Sequence, residues 1–245
     1  MATLTVIIPT FNEAAYIEDA LKSVAFADEI IVIDSYSTDE TVLLSTPYAS
    51  KILKRKFDSF SNQKNFALKE ATSDWILFVD ADERVTHSME KEIKNILSKP
   101  KHNGYKINFP HFYMNRFLYN HSDDVLRLVK LEGAIYSGSV HEKLQCEGSI
   151  GKLKNKMLHY TYKGLNKYIT KKESYAWFQA EKLFNKGKKV TWLHLFFKPV
   201  YRFFSSFILK GGYRDGVPGM TVAAVNAYGV FERYVKLLLL QRGMK

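Results

Sequence analysis

The hydrophobic pattern of the first hundred residues alternates between short continuous runs and helical spacing. Leu4 to Ile8 is an almost unbroken apolar run closed by Pro9, which predicts a strand buried on both faces. Ile17, Ala20, Leu21 and Val24 then fall on one helical face within residues 12–24. Residues 29–34 repeat the buried-strand pattern, and Thr38 or Asp39 is placed to cap a helix running through Leu44. A short strand at 50–53, a helix at 61–70, a strand at 75–79 and a helix at 88–97 follow. Strand–helix alternation of this kind predicts an α/β fold: an open, mostly parallel twisted sheet flanked by helices. Ligands of such sheets bind beyond the C-terminal strand ends. Asn12, Glu13, Asp34, Asp80 and Asp82 all stand at those ends.

After Pro100 the pattern breaks into short strands, such as 104–109 and 125–131, which predict a mixed or antiparallel extension of the sheet. Residues 168–184 are spaced as a long amphipathic helix, and 220–240 as a final one. Between them, residues 190–210 hold seven aromatics beside His194, Lys198, Arg202 and Lys210. Pro199 should break or kink any helix there. No internal repeat is visible, and two parts are expected: a catalytic domain at 1–160 and a helical extension at 161–245.

Charge sharpens that division. The net charge is +11, but residues 1–149 hold 17 basic and 21 acidic side chains, against 19 and 4 in residues 150–245. A basic, aromatic-rich extension suits an anionic membrane surface, with a homodimer interface as the other use of the aromatic stripe. Nucleic acid is disfavoured, since the acidic sheet edge repels phosphate. One cysteine, Cys146, forms no disulfide framework, and no apolar run reaches the length of a spanning helix. The expected location is cytoplasmic, resting on the inner face of the cytoplasmic membrane.

Chemistry is concentrated at Asp80-Ala81-Asp82. Two aspartates at a strand end offer oxygens to a hard cation, Mg2+ or Mn2+, which in turn bridges to a diphosphate. The first strand–helix turn, Pro9 to Glu13, has no glycine-rich loop, which argues against dinucleotide and P-loop enzymes and against a nucleotidyltransferase. Glu142, between Gly138 and Gly148, is the candidate general base, with Asp123 or Asp124 as runner-up. His141 and His159 compete to complete the metal site or to contact the diphosphate. His159 follows Met157-Leu158 as a strand-end ligand would, and a structural role stands beside each. Arg214, among glycines, either binds diphosphate or closes its loop with a salt bridge.

The run Val6 to Glu13, then Ile33-Asp34 with Ser37-Thr38-Asp39, then Lys64-Asn65 and Phe78 to Asp82, resembles the conserved blocks of family 2 glycosyltransferases. The resemblance implies a GT-A fold and inverting transfer from a nucleotide sugar. It implies that Pro9 and Glu13 flank the nucleotide base and ribose and that Asp34 holds the base. Lys64 and Asn65 belong to the third block, and the resemblance implies that they bind the nucleotide sugar. Asp80 would face the ribose or sugar, and Asp82 would ligate the metal. Lys64 stands where many members have Arg, keeping charge without the fork. The later residues Val140-His141-Glu142, His159-Tyr160, Lys171-Lys172, Tyr175-Ala176 and Gly212 to Gly216 with Gly219 are similar to the lipopolysaccharide inner-core β-glucosyltransferase branch. That similarity implies transfer of glucose from UDP-glucose to a core heptose or a similar lipid-linked glycan, with another GT-A transferase acting on a different glycan as the alternative.

Overall fold

The apolar runs become the middle of a sheet. In the computed structural model, which describes residues 2–138, 142–160 and 165–244, the most continuous run forms β1 (Leu4–Thr10), buried along nearly its whole length. Helix α1 (Ile17–Ser23) leads to β2 (Glu29–Asp34), α2 (Thr41–Ser45) to β3 (Lys51–Lys54), and α3 (Phe60–Glu70) to β4 (Trp75–Phe78). β1 pairs in parallel with β2 on one side and β4 on the other, and β2 pairs in parallel with β3. Pro9 is tolerated in this central strand because β4 has already ended opposite Ile7. The core on one face joins Val6, Ile8, Ile17, Leu21, Val32 and Leu77; the other face packs Ile7, Ile31, Ile33 and Phe78 against Ala67 and Leu68 of α3.

A short β5 (Glu83–Arg84) and α4 (His87–Ser98) precede two long strands, β6 (Gly104–Tyr113) and β7 (Arg116–Lys130). Met114 and Asn115, both at positive φ (48° and 57°), make the two-residue turn between them. β8 (Ile135–Ser137) and β9 (Lys143–Gln145) form a separate ribbon; β10 (Ile150–Lys156) and β11 (Leu158–His159) rejoin the main sheet.

The sheet is mixed rather than mostly parallel, which corrects the expectation from the alternating pattern. Its order is β3-β2-β1-β4-β7-β6-β11-β5, with β10 beside β6; β4 meets β7 antiparallel, and β11 meets β5 antiparallel. The physical reason is connection type: β7 enters through a tight turn, not through a crossover helix, so nothing constrains it to run parallel.

The chain divides into two compact units, residues 1–109 with 123–159 and residues 110–122 with 160–245. The second unit holds α5 (Leu165–Asn185), α6 (Trp192–Leu195), α7 (Phe197–Phe204), a π-turn at Ser205–Leu209, a 3-10 turn at Gly212–Asp215, and α8 (Gly216–Gln241). α5 and α8 pack together, burying Tyr168, Val222 and Val225 with Tyr113 and Leu118. Gly219 is required here: a Cβ would lie 2.0 Å from the carbonyl oxygen of Gly212. The break foreseen at Pro199 comes earlier, at Phe196, and Pro199 occupies the first turn of α7, where its missing N–H costs nothing. Among the described residues, no helix is long and apolar enough to cross a membrane.

Candidate active site

At the C-terminal ends of β1 and β2, two loops are stitched together by side chains. Asn12 and Tyr36 both take left-handed backbone (φ 54° and 64°). The Asn12 N–H donates to Ser37 Oγ at 2.9 Å, and its side-chain oxygen accepts from the Thr38 N–H at 2.8 Å. Asp34, fully buried, accepts from the N–H and hydroxyl of Ser37. The Glu13 N–H donates to Thr41 Oγ1 at 2.8 Å. Pro9, Glu13 and Asp34 are thus gathered at one strand-end rim. The neighbouring Thr10 hydroxyl is buried there without a partner among the described residues.

Asp80 begins a turn closed from both directions. The Glu83 N–H donates to the Asp80 carbonyl at 2.9 Å, and the Asp80 N–H donates to Glu83 Oε2 at 2.8 Å. Arg127, projecting from β7, reaches Asp80 Oδ2 at 2.7 Å and Glu83 Oε1 at 2.8 Å, with its guanidinium 5.3 Å from the Phe109 ring centroid. Burial opposes ionisation of Asp80, but Arg127, Lys64 and His159 together hold its carboxyl well below the usual range. For Glu83 the outcome is reversed. Its ion pair alone would keep it charged, yet complete burial and the adjacent Asp80 outweigh the shared guanidinium and push it up to about 8. One cation thus stands between two carboxylates, and the more deeply buried one is held well above its ordinary value.

The β5–β11 pairing places His159 opposite Glu83, which brings His159 Nε2 within 3.5 Å of Asp82 Oδ1. A carboxylate and an imidazole converging at a partly exposed turn suit a divalent cation that takes its remaining ligands from phosphate oxygens and water. Among the described residues no group of three or more His, Cys, Asp or Glu converges as a metal cage. Asp80 is committed to Arg127, and Asp82 stands beside His159.

Lys64 and Glu142, 78 positions apart in sequence, meet at 3.5 Å. Lys64 is buried on α3, with its ammonium 4.8 Å from the Tyr136 ring centroid. Asn65 is turned away from the rim: its amide clamps the backbone of Tyr136, donating to the carbonyl at 2.9 Å and accepting from the N–H at 2.8 Å. Ser61 donates to the Gly138 carbonyl. α3 thus anchors the start of the segment that carries Glu142. Asp124 is held elsewhere, by Lys152 at 2.6 Å and Asn108 at 2.8 Å. His141 lies outside the described residues. Arg214 belongs to the second unit, exposed, with its Nε donating to the Tyr213 hydroxyl at 3.3 Å; the adjacent Asp215 accepts from Asn120 at 3.1 Å.

Sequence reasoning missed Arg127 and Tyr136. Arg127 had a signal, as the one charge within Val125-Leu126-Arg127-Leu128-Val129, where a buried strand admits a cation only if carboxylates await it. Tyr136 had none, because its place depends on the Asn65 clamp.

The sequence model described as Glycosyl transferase family 2 matches residues 5–172, and the chain belongs to that family. It is a glycosyltransferase with a GT-A-type fold. An uncharacterized glycosyltransferase of Rickettsia felis is 28% identical across 97% of this chain and 90% of its own length. The lipopolysaccharide core biosynthesis glycosyltransferase LpsC of Rhizobium meliloti is 26% identical across 96% of this chain and 91% of its own. Among solved structures, S. aureus TarS 1-349 in complex with UDP-GlcNAc superposes with a TM-score of 0.52 at 14% identity, covering 99% of this chain and 92% of that one.

Proposed function

We propose that this family 2 member transfers a hexose from a UDP-sugar to a glycan acceptor with inversion at the anomeric carbon. The observation that carries the reading is convergence within one unit: Asp80, Asp82, His159, Lys64 and Glu142 come from separate stretches of chain to one end of the sheet. In this reading Pro9, Glu13 and Asp34 line the nucleoside pocket. Asp80, oriented by Arg127, faces the ribose or sugar. Asp82 and His159 hold Mg2+ or Mn2+, which when bound neutralises charge on the diphosphate. Lys64 adds positive charge, and Asn65 acts indirectly by fixing Tyr136 beneath it. Glu142 takes the proton from the acceptor hydroxyl as its oxygen bonds to the anomeric carbon and the bond to the diphosphate breaks.

LpsC is named for lipopolysaccharide core biosynthesis, and TarS 1-349 is solved in complex with UDP-GlcNAc. We therefore read the acceptor as a surface glycan, and transfer of glucose to a core heptose as one narrower case of it. Function is assigned by division at residue 160, donor chemistry before it and acceptor binding after it. Donor consumption measured across UDP-, GDP- and TDP-sugars tests the reading. Turnover confined to a UDP-sugar supports it, whereas preference for GDP- or TDP-sugars overturns the donor assignment.

A further inference from the structure

The segment from α6 through the π-turn has its amphipathicity turned outward. Leu193, Phe197, Val200, Phe204 and Ile208 recur at intervals of three or four, with Trp192, Phe196, Tyr201 and Leu209 beside them, and all are exposed. Trp192 is 77% exposed, Phe197 67% and Tyr201 65%. The opposite side, with Leu195, Pro199, Phe203 and Ser206, is the less exposed one, and α6 and α7 pack on α8. A helix that served only its own unit would bury its aromatic side and leave the polar one in water. A contiguous apolar strip of this length on a surface marks something that binds there.

Charge identifies the occupant. Between Glu181 and Asp215 the chain carries Lys182, Lys186, Lys188, Lys189, Lys198, Arg202, Lys210 and Arg214, and no acid. Lys182, Lys186, Lys188, Lys189, Lys198 and Lys210 are exposed. A second copy of this chain laid on the strip would bring two such sets of cations together with nothing to neutralise them. An anionic lipid leaflet offers an apolar layer for the rings and phosphate charge for the rim at once. Lysine and arginine stems can lie along the apolar surface while their heads reach the phosphates, and Trp192 and Tyr201 have the ring-plus-polar-tip form suited to the headgroup boundary. We propose that the exposed strip Leu193–Leu209 is a docking face that seats the protein on an anionic bilayer surface, its aromatics in the interface and its lysines on the headgroups. This rests on the second unit alone and does not depend on the donor or acceptor reading.

Flotation with phosphatidylcholine vesicles, and with vesicles that also contain phosphatidylglycerol, tests the proposal. The expected result is flotation only with the anionic vesicles, weakening as salt is raised. K188E/K189E/K198E should reduce partitioning by more than about a hundredfold, and F197S/F204S roughly tenfold or more. Emission from Trp192, isolated by difference from W192F, should shift to the blue with anionic vesicles alone. Both multiple variants should unfold at the wild-type temperature, since the altered side chains are exposed. If F197S/F204S does not fold, L193S and L209S at the strip's ends carry the same readout. Absence of flotation under every condition overturns the proposal, as does flotation that neither charge reversal nor loss of the aromatics weakens. A wild-type dimer dissociated by F197S/F204S, with no vesicle binding, would assign the strip to a second copy. Salt-sensitive nucleic-acid binding without vesicle binding would assign the cations to nucleic acid.

Discussion

In the unit formed by residues 1–109 and 123–159, charged side chains at the strand ends turn inward and meet partners: Arg127 with Asp80 and Glu83, Lys64 with Glu142. In the unit formed by residues 110–122 and 160–245, the strip from Trp192 to Leu209 turns aromatic rings outward among exposed lysines. Burying a charge is costly unless a partner is fixed in advance, so the first arrangement demands a rigid sheet that aims each group. Leaving rings in water sacrifices hydrophobic stabilisation that folding alone would have collected. Each arrangement fits the ligand proposed for it, a charged sugar donor in one case and a lipid surface in the other.

The comparison is broken most directly at Asp82. Asp82→Ala should lower sugar transfer by more than about 10³-fold with the fold retained, as should excess chelator on the wild type. Full turnover in either case would remove the metal from the scheme. Glu142→Gln should lower kcat by about 10²–10⁴-fold while donor KM stays near the wild-type value, because the lost charge serves the acceptor proton. Unchanged turnover would move the base to Asp123 or Asp124.

Arg127→Met should cost about 3–5 kcal/mol in urea unfolding, by leaving Asp80 and Glu83 facing each other without a cation. The sign of the pH response sharpens this. Glu83 is raised from 4.5 to about 8, so the folded state holds its proton more tightly than the unfolded one. Its contribution to stability is full below about 4.5 and is lost as pH rises toward about 8. Glu83→Gln should flatten that slope, and a slope unchanged in the variant would place its origin elsewhere. In the second unit, Gly219→Ala should cost roughly 1–3 kcal/mol, because its Cβ overlaps a backbone oxygen that cannot swing aside. F197S/F204S is the smallest effect expected: thermal stability within about 0.5 kcal/mol of wild type, since surface positions contribute little. A large loss there would show that the rings pack within the protein and would erase the contrast between the units.

Much of the first unit was legible in the sequence, because its buried strands are continuous apolar runs and its strand-end carboxylates stand out against them. The short strands after Pro100 made a mixed or antiparallel extension legible, and β7 enters antiparallel to β4; which strand it would join was not legible, since a run such as residues 125–131 fixes burial but not partner. The meeting of Lys64 with Glu142 was legible only as two separate candidates. Its cause, the hold of Asn65 and Ser61 on the segment before Glu142, is a tertiary contact without local periodicity. Asn65 itself illustrates the limit: its position in a motif suggested the ligand, and its amide instead serves the backbone of Tyr136. The outward strip was legible as composition, but which side faces water required the packing of α6 and α7 on α8.

The β5–β11 ladder consists of only two residue pairs, Leu158 with Arg84 and His159 with Glu83. So short a tie has little cooperativity of its own and opens in local fluctuations far more readily than the strands around β1. Because His159 is delivered by that ladder, any ligand gripping His159 and Asp82 together also closes it. Amide hydrogen exchange at Leu158 and His159 should therefore slow when a divalent cation is added, while the amides of β1 exchange as slowly as before. If the corner holds the proposed ion, its affinity is set partly by how often the ladder is shut, so strengthening the pairing far from any ligand atom would tighten binding without altering a single donor group.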